Sequence, residues 1–294
     1  MATEGFTAGM MDLLGALKPM AVRRLEREIE ERVAKIPTSL NEYGFDPYGF
    51  HPDWIRRLML PSALIYRYYV RAESHDIHHI PEGRVLLIAN HAGQLPLDGA
   101  MLAAATILDA DPPRLARSMA EYWVPTLPWI SVAAMRMGVL VGTRENCISM
   151  LKAGECAVAF PEGVRGLNKP FSERYRLQRF GLGFMRLALA TDTPIVPVAI
   201  VGSEEQQIGL VDGTRAGRLL GMPALPITAT FPWLGPLGLL PLPVKYHIYF
   251  GEPMRFRGDP NEDDATVEEK VEVVKSSITA MFARGLRERD GVFR

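Results

Sequence analysis

Apolar residues fall along this chain in two rhythms. Unbroken short runs, Arg84-Val85-Leu86-Leu87-Ile88-Ala89, Cys156-Ala157-Val158-Ala159-Phe160 and Pro194 to Val201, read as strands buried on both faces. Between them, apolar positions recur at helical spacing in Gly99 to Ala105, Thr143 to Lys152, Gly181 to Thr191 and Asp264 to Arg287. The last places Val267, Val271, Val274, Ile278 and Met281 on one face. Pro112 to Met119 and Gly138 to Gly142 read as further strands, and Val244 to Phe250 alternates as a half-buried one. Strand and helix alternate, which predicts an α/β fold with a mixed, largely parallel sheet covered by helices on both faces.

Before this alternation begins, residues 11–35 set Leu13, Leu17, Leu25, Ile29 and Val33 among charges of both signs. An amphipathic helix packed on the domain explains that mixture better than a helix lying on a membrane, which favours a basic polar face. From Asp53 to Arg71 the chain interleaves arginines, aromatics and aliphatics, with no acid between Asp53 and Glu73. Two readings are open there: a surface where anionic head groups meet acyl chains, and a basic helix with a buried aromatic face. The expected organisation is an N-terminal helical, membrane-docking candidate region over residues 1–74 and an α/β domain over 75–294. Leu219 to Pro243 is apolar but carries prolines at 223, 226, 232, 236, 241 and 243, a density that opposes a spanning helix and suits a membrane surface or the cover of an apolar pocket.

Composition removes several classes of function. Lys+Arg 33 against Asp+Glu 34 gives a formal charge of -1, so no general basicity points to nucleic acid. The two cysteines, Cys147 and Cys156, lack a CxxC spacing, which argues against a disulfide framework or a thiolate zinc site and for a reducing compartment. Residues 1–6 lack a basic start followed by a long apolar core, so the expected location is cytoplasmic. His75, His78 and His79 precede the turn Pro81-Glu82-Gly83 and are read as turn residues; no metal site is expected.

Chemistry concentrates at the end of the first long strand, in Asn90-His91-Ala92-Gly93-Gln94-Leu95-Pro96-Leu97-Asp98. Ligands in open α/β sheets bind outside the carboxyl ends of the strands, so His91 and a first-turn Asp98 stand where a general base and its orienting acid are useful. With Pro96 near N1 of the following helix, Asp98 falls near N3, facing the loop that carries His91.

Three further blocks follow in order: Gly142-Thr143-Arg144, Phe160-Pro161-Glu162-Gly163-Val164-Arg165 and Ile195-Val196-Pro197-Val198. Together with Asn90-His91 and Asp98 they resemble the glycerolipid acyltransferases, the superfamily of glycerol-3-phosphate and lysophospholipid acyltransferases. The resemblance implies the fold of that superfamily, a catalytic domain over residues 75–294, and transfer of an acyl chain from acyl-CoA or acyl carrier protein to a glycerolipid hydroxyl. His91 would be the base and Asp98 its partner. Arg144, Glu162, Gly163 and Arg165 would hold the acceptor, with no acyl-enzyme and no cofactor beyond the acyl donor as co-substrate. The implied setting is phospholipid biosynthesis by a peripheral protein on the inner, cytoplasmic face of a membrane.

Two departures from the family pattern bear on the acceptor. The usual first block, H-x-x-x-x-D, would put the acid at position 96, where this chain has Pro96. Gly181 follows Phe180 where phosphate-using members often carry lysine. Both features are more similar to the mono- and diacylglycerol acyltransferase-like branch, so a neutral acceptor stands beside a lysophospholipid one. The basic loop of Lys169, Arg174, Arg176 and Arg179 would then meet donor phosphates or the membrane surface. A thioester hydrolase and a non-catalytic lipid-binding or tethering protein complete the alternatives.

Overall fold

A computed structural model describes residues 20–294 except 121, 123, 127 and 220–224. The N-terminal part of the expected 11–35 helix, and the start of the proline-rich segment, lie outside the described residues. The chain enters through α1 (Met20–Ala34) and α2 (Pro52–Leu64), the latter running into a π-turn at Ile65–Tyr69. It continues through β1 (Glu73–His75), β2 (Val85–Ala89), α3 (Leu97–Leu108), β3 (Ala116–Ala120), α4 (Ile130–Arg136), β4 (Leu140–Val141), α5 (Arg144–Lys152) and β5 (Cys156–Ala159). The remainder is α6 (Val164–Leu167), α7 (Gly183–Thr191), β6 (Ile195–Val201), α8 (Thr214–Leu219), β7 (His247–Phe250) and α9 (Asp264–Glu288).

The strands form one seven-stranded sheet in the order β1-β7-β6-β2-β5-β3-β4. Every neighbouring pair is parallel except β6 with β7. The mixed, largely parallel sheet read from the sequence is therefore what forms. Alternation along β2 divides the core: Val85, Leu87 and Ala89 face a layer built from α1, α2 and α3, whereas Leu86 and Ile88 face α5, α7 and α9. β1 lies at the expected division near residue 74, and α1 and α2 share their buried cluster with the sheet.

Three expectations change in detail. β7 is buried along its whole length rather than on one face, because it lies between β1 and β6 with both sheet faces covered. Met281 is only partly buried, and Phe282 takes the core position of that turn. The helix after His91 begins at Leu97, so Pro96 is its N-cap and Asp98 its second residue. In the arginine- and aromatic-rich segment, Ile55, Met59, Ala63, Tyr66 and Val70 point into the core while Trp54, Tyr68 and Tyr69 are exposed. Among the described residues no helix is long and apolar enough to cross a membrane.

Candidate active site

β2, β5 and β6 run parallel, and the loops after them build the site. At the tip of β2, Asn90 is buried and its side-chain oxygen accepts the Ile200 N–H at 2.8 Å, fastening the start of the His91 loop to β6. Six residues separate His91 from Asp98, and the loop absorbs the added length in a tight coil. Gly93 has φ +92° and Gln94 φ +62°, the Leu95 N–H reaches back to the Gly93 carbonyl, and the Leu97 N–H to that of Leu95. Gln206, from the loop after β6, donates its side-chain amide to the carbonyls of both Gly93 (3.0 Å) and Leu95 (3.2 Å). Tyr246 donates its hydroxyl to the Gln206 oxygen in turn.

This coil delivers His91 Nδ1 to 2.8 Å from Asp98 Oδ2, with Asp98 fully buried. The same oxygen accepts the Ala92 N–H at 2.9 Å, and Oδ1 accepts the Gly99 N–H at 2.8 Å. An acceptor-only carboxylate assigns the proton to Nδ1, which makes Nε2 the basic nitrogen of the neutral ring. The ring packs on Phe160 with centroids 4.5 Å apart, and its side chain is only slightly exposed.

Glu162, at the end of β5, is a splint. Its Oε1 accepts the His91 backbone N–H at 3.0 Å, and its Oε2 accepts the Gln178 N–H at 2.7 Å. Lys169 Nζ lies 3.7 Å from Glu162 and 2.9 Å from Glu204 Oε1, and donates to the Arg176 carbonyl. Lys169 is thus buried and spent internally, whereas Arg174, Arg176 and Arg179 of the same loop are exposed. Burial outweighs the attraction of Lys169 and pushes the Glu204 carboxyl up to about 7.

The remaining residues expected at the site lie at the amino ends of α5 and α6. Gly163 (φ +57°, ψ -147°) caps α6 in a conformation suited to glycine, and turns the chain directly after Glu162. Arg165 in α6 is exposed and donates to the Arg179 carbonyl at 3.4 Å. Arg144 is exposed at the first position of α5, whose N-cap Thr143 accepts the Asn146 N–H. β4, which leads into Arg144, lies three strands from β2, about 14 Å at ~4.8 Å per strand. A small pocket beside His91 is lined by Ala92, Gln94, Lys169, Phe171, Arg174 and Gln207. A second, apolar depression is lined by Ala120, Val124, Met135, Val139 and Leu140, next to the Gly142-Thr143-Arg144 block.

Gln206, Tyr246 and the buried role of Glu204 escape a reading of the sequence. The polar run Ser203-Glu204-Glu205-Gln206-Gln207 at the carboxyl end of a parallel strand was an available signal, since that is where sites form. Its burial had no such signal.

Comparison with known proteins bears on the family. A family model described as Acyltransferase matches residues 71–201. An uncharacterized protein of Mycobacterium tuberculosis is 39% identical over 260 residues, covering 87% of this chain and 72% of that protein. A Gallus gallus protein named DGAT1/2-independent enzyme synthesizing storage lipids is 28% identical over 215 residues, 72% of this chain and 59% of that protein. The crystal structure of the 1-acyl-sn-glycerophosphate acyltransferase PlsC from Thermotoga maritima aligns over 97% of this chain and 90% of its own, at TM-score 0.49 and 16% identity. The chain belongs to the acyltransferase family, and is a transferase.

Proposed function

We propose that this protein transfers an acyl chain from acyl-CoA or acyl carrier protein to the hydroxyl of a lysophospholipid or related glycerolipid, working as a peripheral protein on the inner face of a membrane. The observation that carries the reading is the 2.8 Å contact between His91 Nδ1 and Asp98 Oδ2, which makes Nε2 a base aimed away from its anchor. Nε2 takes the acceptor's hydroxyl proton as the oxygen attacks the thioester carbonyl. A C–O bond forms, the C–S bond breaks, and the leaving thiolate recovers the proton from the imidazolium. Asp98 holds the ring and stabilises its charged form. Attack is direct, so no acyl-enzyme is required.

Arg144 and Arg165 are exposed and suited to a phosphate, while Glu162 and Gly163 would shape the acceptor pocket from behind, by holding the His91 backbone and turning the chain after β5. Trp129 at 88% and Trp233 at 74% exposure, with Ile130, Leu234, Leu237 and Leu240, are large apolar side chains suited to lipid. A neutral mono- or diacylglycerol acceptor is the second reading, favoured by the Gallus gallus relative's name and by Gly181 in place of lysine.

The test is mass spectrometry of products formed from mixed acyl-CoA and acyl-ACP donors with a panel of phosphorylated and neutral acceptors on vesicles. A new ester that His91→Ala fails to make is the expected result, and the acceptor consumed separates the two readings. Free fatty acid without any ester would replace transfer by hydrolysis, and no turnover with folded protein would favour a lipid tether.

A further inference from the structure

The sheet edge farthest from β4 carries a second cluster of ionisable side chains that the acyl-transfer reading leaves unused. β1 pairs in parallel with β7, in a register that sets Glu73 beside His247. His75, two residues along β1, returns to the same face of the strand. His75 Nε2 lies 3.1 Å from His247 Nδ1, and Glu73 Oε2 lies 3.6 Å from that same nitrogen. The three ligand atoms all fall within 4.8 Å of one another.

We propose that Glu73, His75 and His247 form a binding site for a divalent transition-metal ion of the zinc class, with water completing the coordination. The spacing fits: ligands about 2.0–2.1 Å from a tetrahedral ion stand about 3.3 Å apart, between the two separations observed here. Two imidazoles and one carboxylate are a donor set that borderline-soft ions prefer over calcium or magnesium.

Surrounding groups hold these atoms in place. Lys245 binds Glu73 Oε1 at 2.6 Å, which orients Oε2 toward the histidines. The His75 ring stacks on Tyr249 with centroids 4.3 Å apart. Glu73 is half exposed, which gives an ion and its water access. Without a cation one ring nitrogen must donate to the other across the 3.1 Å gap, whereas an ion in the cluster lets both facing nitrogens act as acceptors at once.

Sequence reading set His75 aside as a turn residue, because its partner comes from 172 residues away. The neighbouring His79 serves a different purpose, with Nδ1 at the Phe250 carbonyl and Nε2 3.0 Å from Glu252. An ion here would tie the three-residue edge strand β1 to β7. It lies outside the His91 site and is independent of the acyl-transfer reading.

The experiment titrates chelator-stripped full-length protein with Zn2+ against a chromophoric competitor, and records the visible spectrum of the Co2+ form. One Zn2+ per chain, a tetrahedral cobalt spectrum without thiolate bands, and a zinc-induced rise in melting temperature are expected. His75→Gln and Glu73→Gln sit at the partly exposed side of the cluster, and should weaken binding beyond the ~10–100-fold typical of losing an outer-shell partner. Both should also abolish the melting shift, while His79→Gln leaves affinity within about twofold of wild type. Circular dichroism of the metal-free variants verifies folding independently. Absence of saturable binding, unchanged affinity in both His75→Gln and Glu73→Gln, or cobalt–thiolate bands from Cys147 or Cys156 would each overturn the assignment.

Discussion

Asp98 Oδ2 accepts two hydrogen bonds at once, from His91 Nδ1 at 2.8 Å and from the Ala92 backbone N–H at 2.9 Å. The second bond fixes the carboxylate in the plane where it can orient the imidazole. Asp98→Asn turns one of these acceptor positions toward a donor and upsets the tautomer that leaves Nε2 basic. We expect kcat to fall by about 10²–10⁴ while KM changes little, read from initial rates of acyl transfer. Retention of more than half the wild-type kcat would remove Asp98 from the mechanism.

Glu162 accepts from two backbone N–H groups, one with each oxygen. Glutamine has a single acceptor oxygen, so Glu162→Gln must present its NH2 to one of those donors. The expected loss is about 1–3 kcal/mol of stability, together with lower kcat from a displaced His91. Denaturant titration and kinetics on the same preparation would show both; a fully stable, fully active variant would contradict the splint role.

Gly93→Ala strikes the coil that accommodates the late acid. A Cβ there would stand 1.8 Å from Gln206 Nε2 and 2.7 Å from the Ser203 carbonyl, on a backbone with φ +92°. Left-handed strain and the lost Gln206 bonds together should destabilise by about 2–4 kcal/mol. Chemical denaturation reads this directly, and a midpoint equal to wild type would show that the coil rearranges without penalty.

Glu204 links stability to pH. Its folded-state carboxyl titrates at about 7, above the ordinary carboxylate range, because it is buried. Over the interval from about 4.5 to 7 the folded chain therefore holds a proton that the unfolded chain has released, and stability from this group declines as pH rises. The wild-type protein should lose stability across that window relative to Glu204→Gln, which has no proton to release. Melting curves at pH 5 and pH 8 for both proteins provide the comparison; parallel pH profiles would refute the linkage.

Lipid contact through the proline-rich segment is testable at Trp233 and Leu237, both largely exposed. Inserting one such side chain contributes about 1.5–3 kcal/mol, so Trp233→Ser should weaken vesicle partitioning by roughly tenfold or more. Flotation with anionic vesicles measures it. Equal partitioning of Trp233→Ser, Leu237→Ser and wild type would place the lipid contact on another surface.

Legibility of the sequence followed burial. β2, β5 and β6 were evident because strands covered on both faces are written as continuous apolar runs, and α9 because its apolar residues recur every three to four positions. β1, by contrast, is Glu73-Ser74-His75, too short and polar to signal a strand; its pairing with β7 decides its structure. β7 looked half-buried because His247 breaks its apolar run, yet the fold buries that histidine against β1. At the site, His91, Asp98 and Glu162 were legible from local motifs. Gln206 was not, since its value lies in reaching a loop more than a hundred residues earlier in the chain, nor was Tyr246, which acts by seating Gln206.

That reach bears on the order in which the molecule is assembled. Every family block ends by Val201, but the carbonyls of Gly93 and Leu95 are held by Gln206, and Gln206 is seated by Tyr246 immediately before β7. During synthesis, a nascent chain that has emerged only to residue 240 carries all the chemical groups without the strand that locks their spacing. Closing so long a loop is among the slower steps of folding, so catalytic competence should be acquired late, as the carboxyl-terminal strand and helix dock.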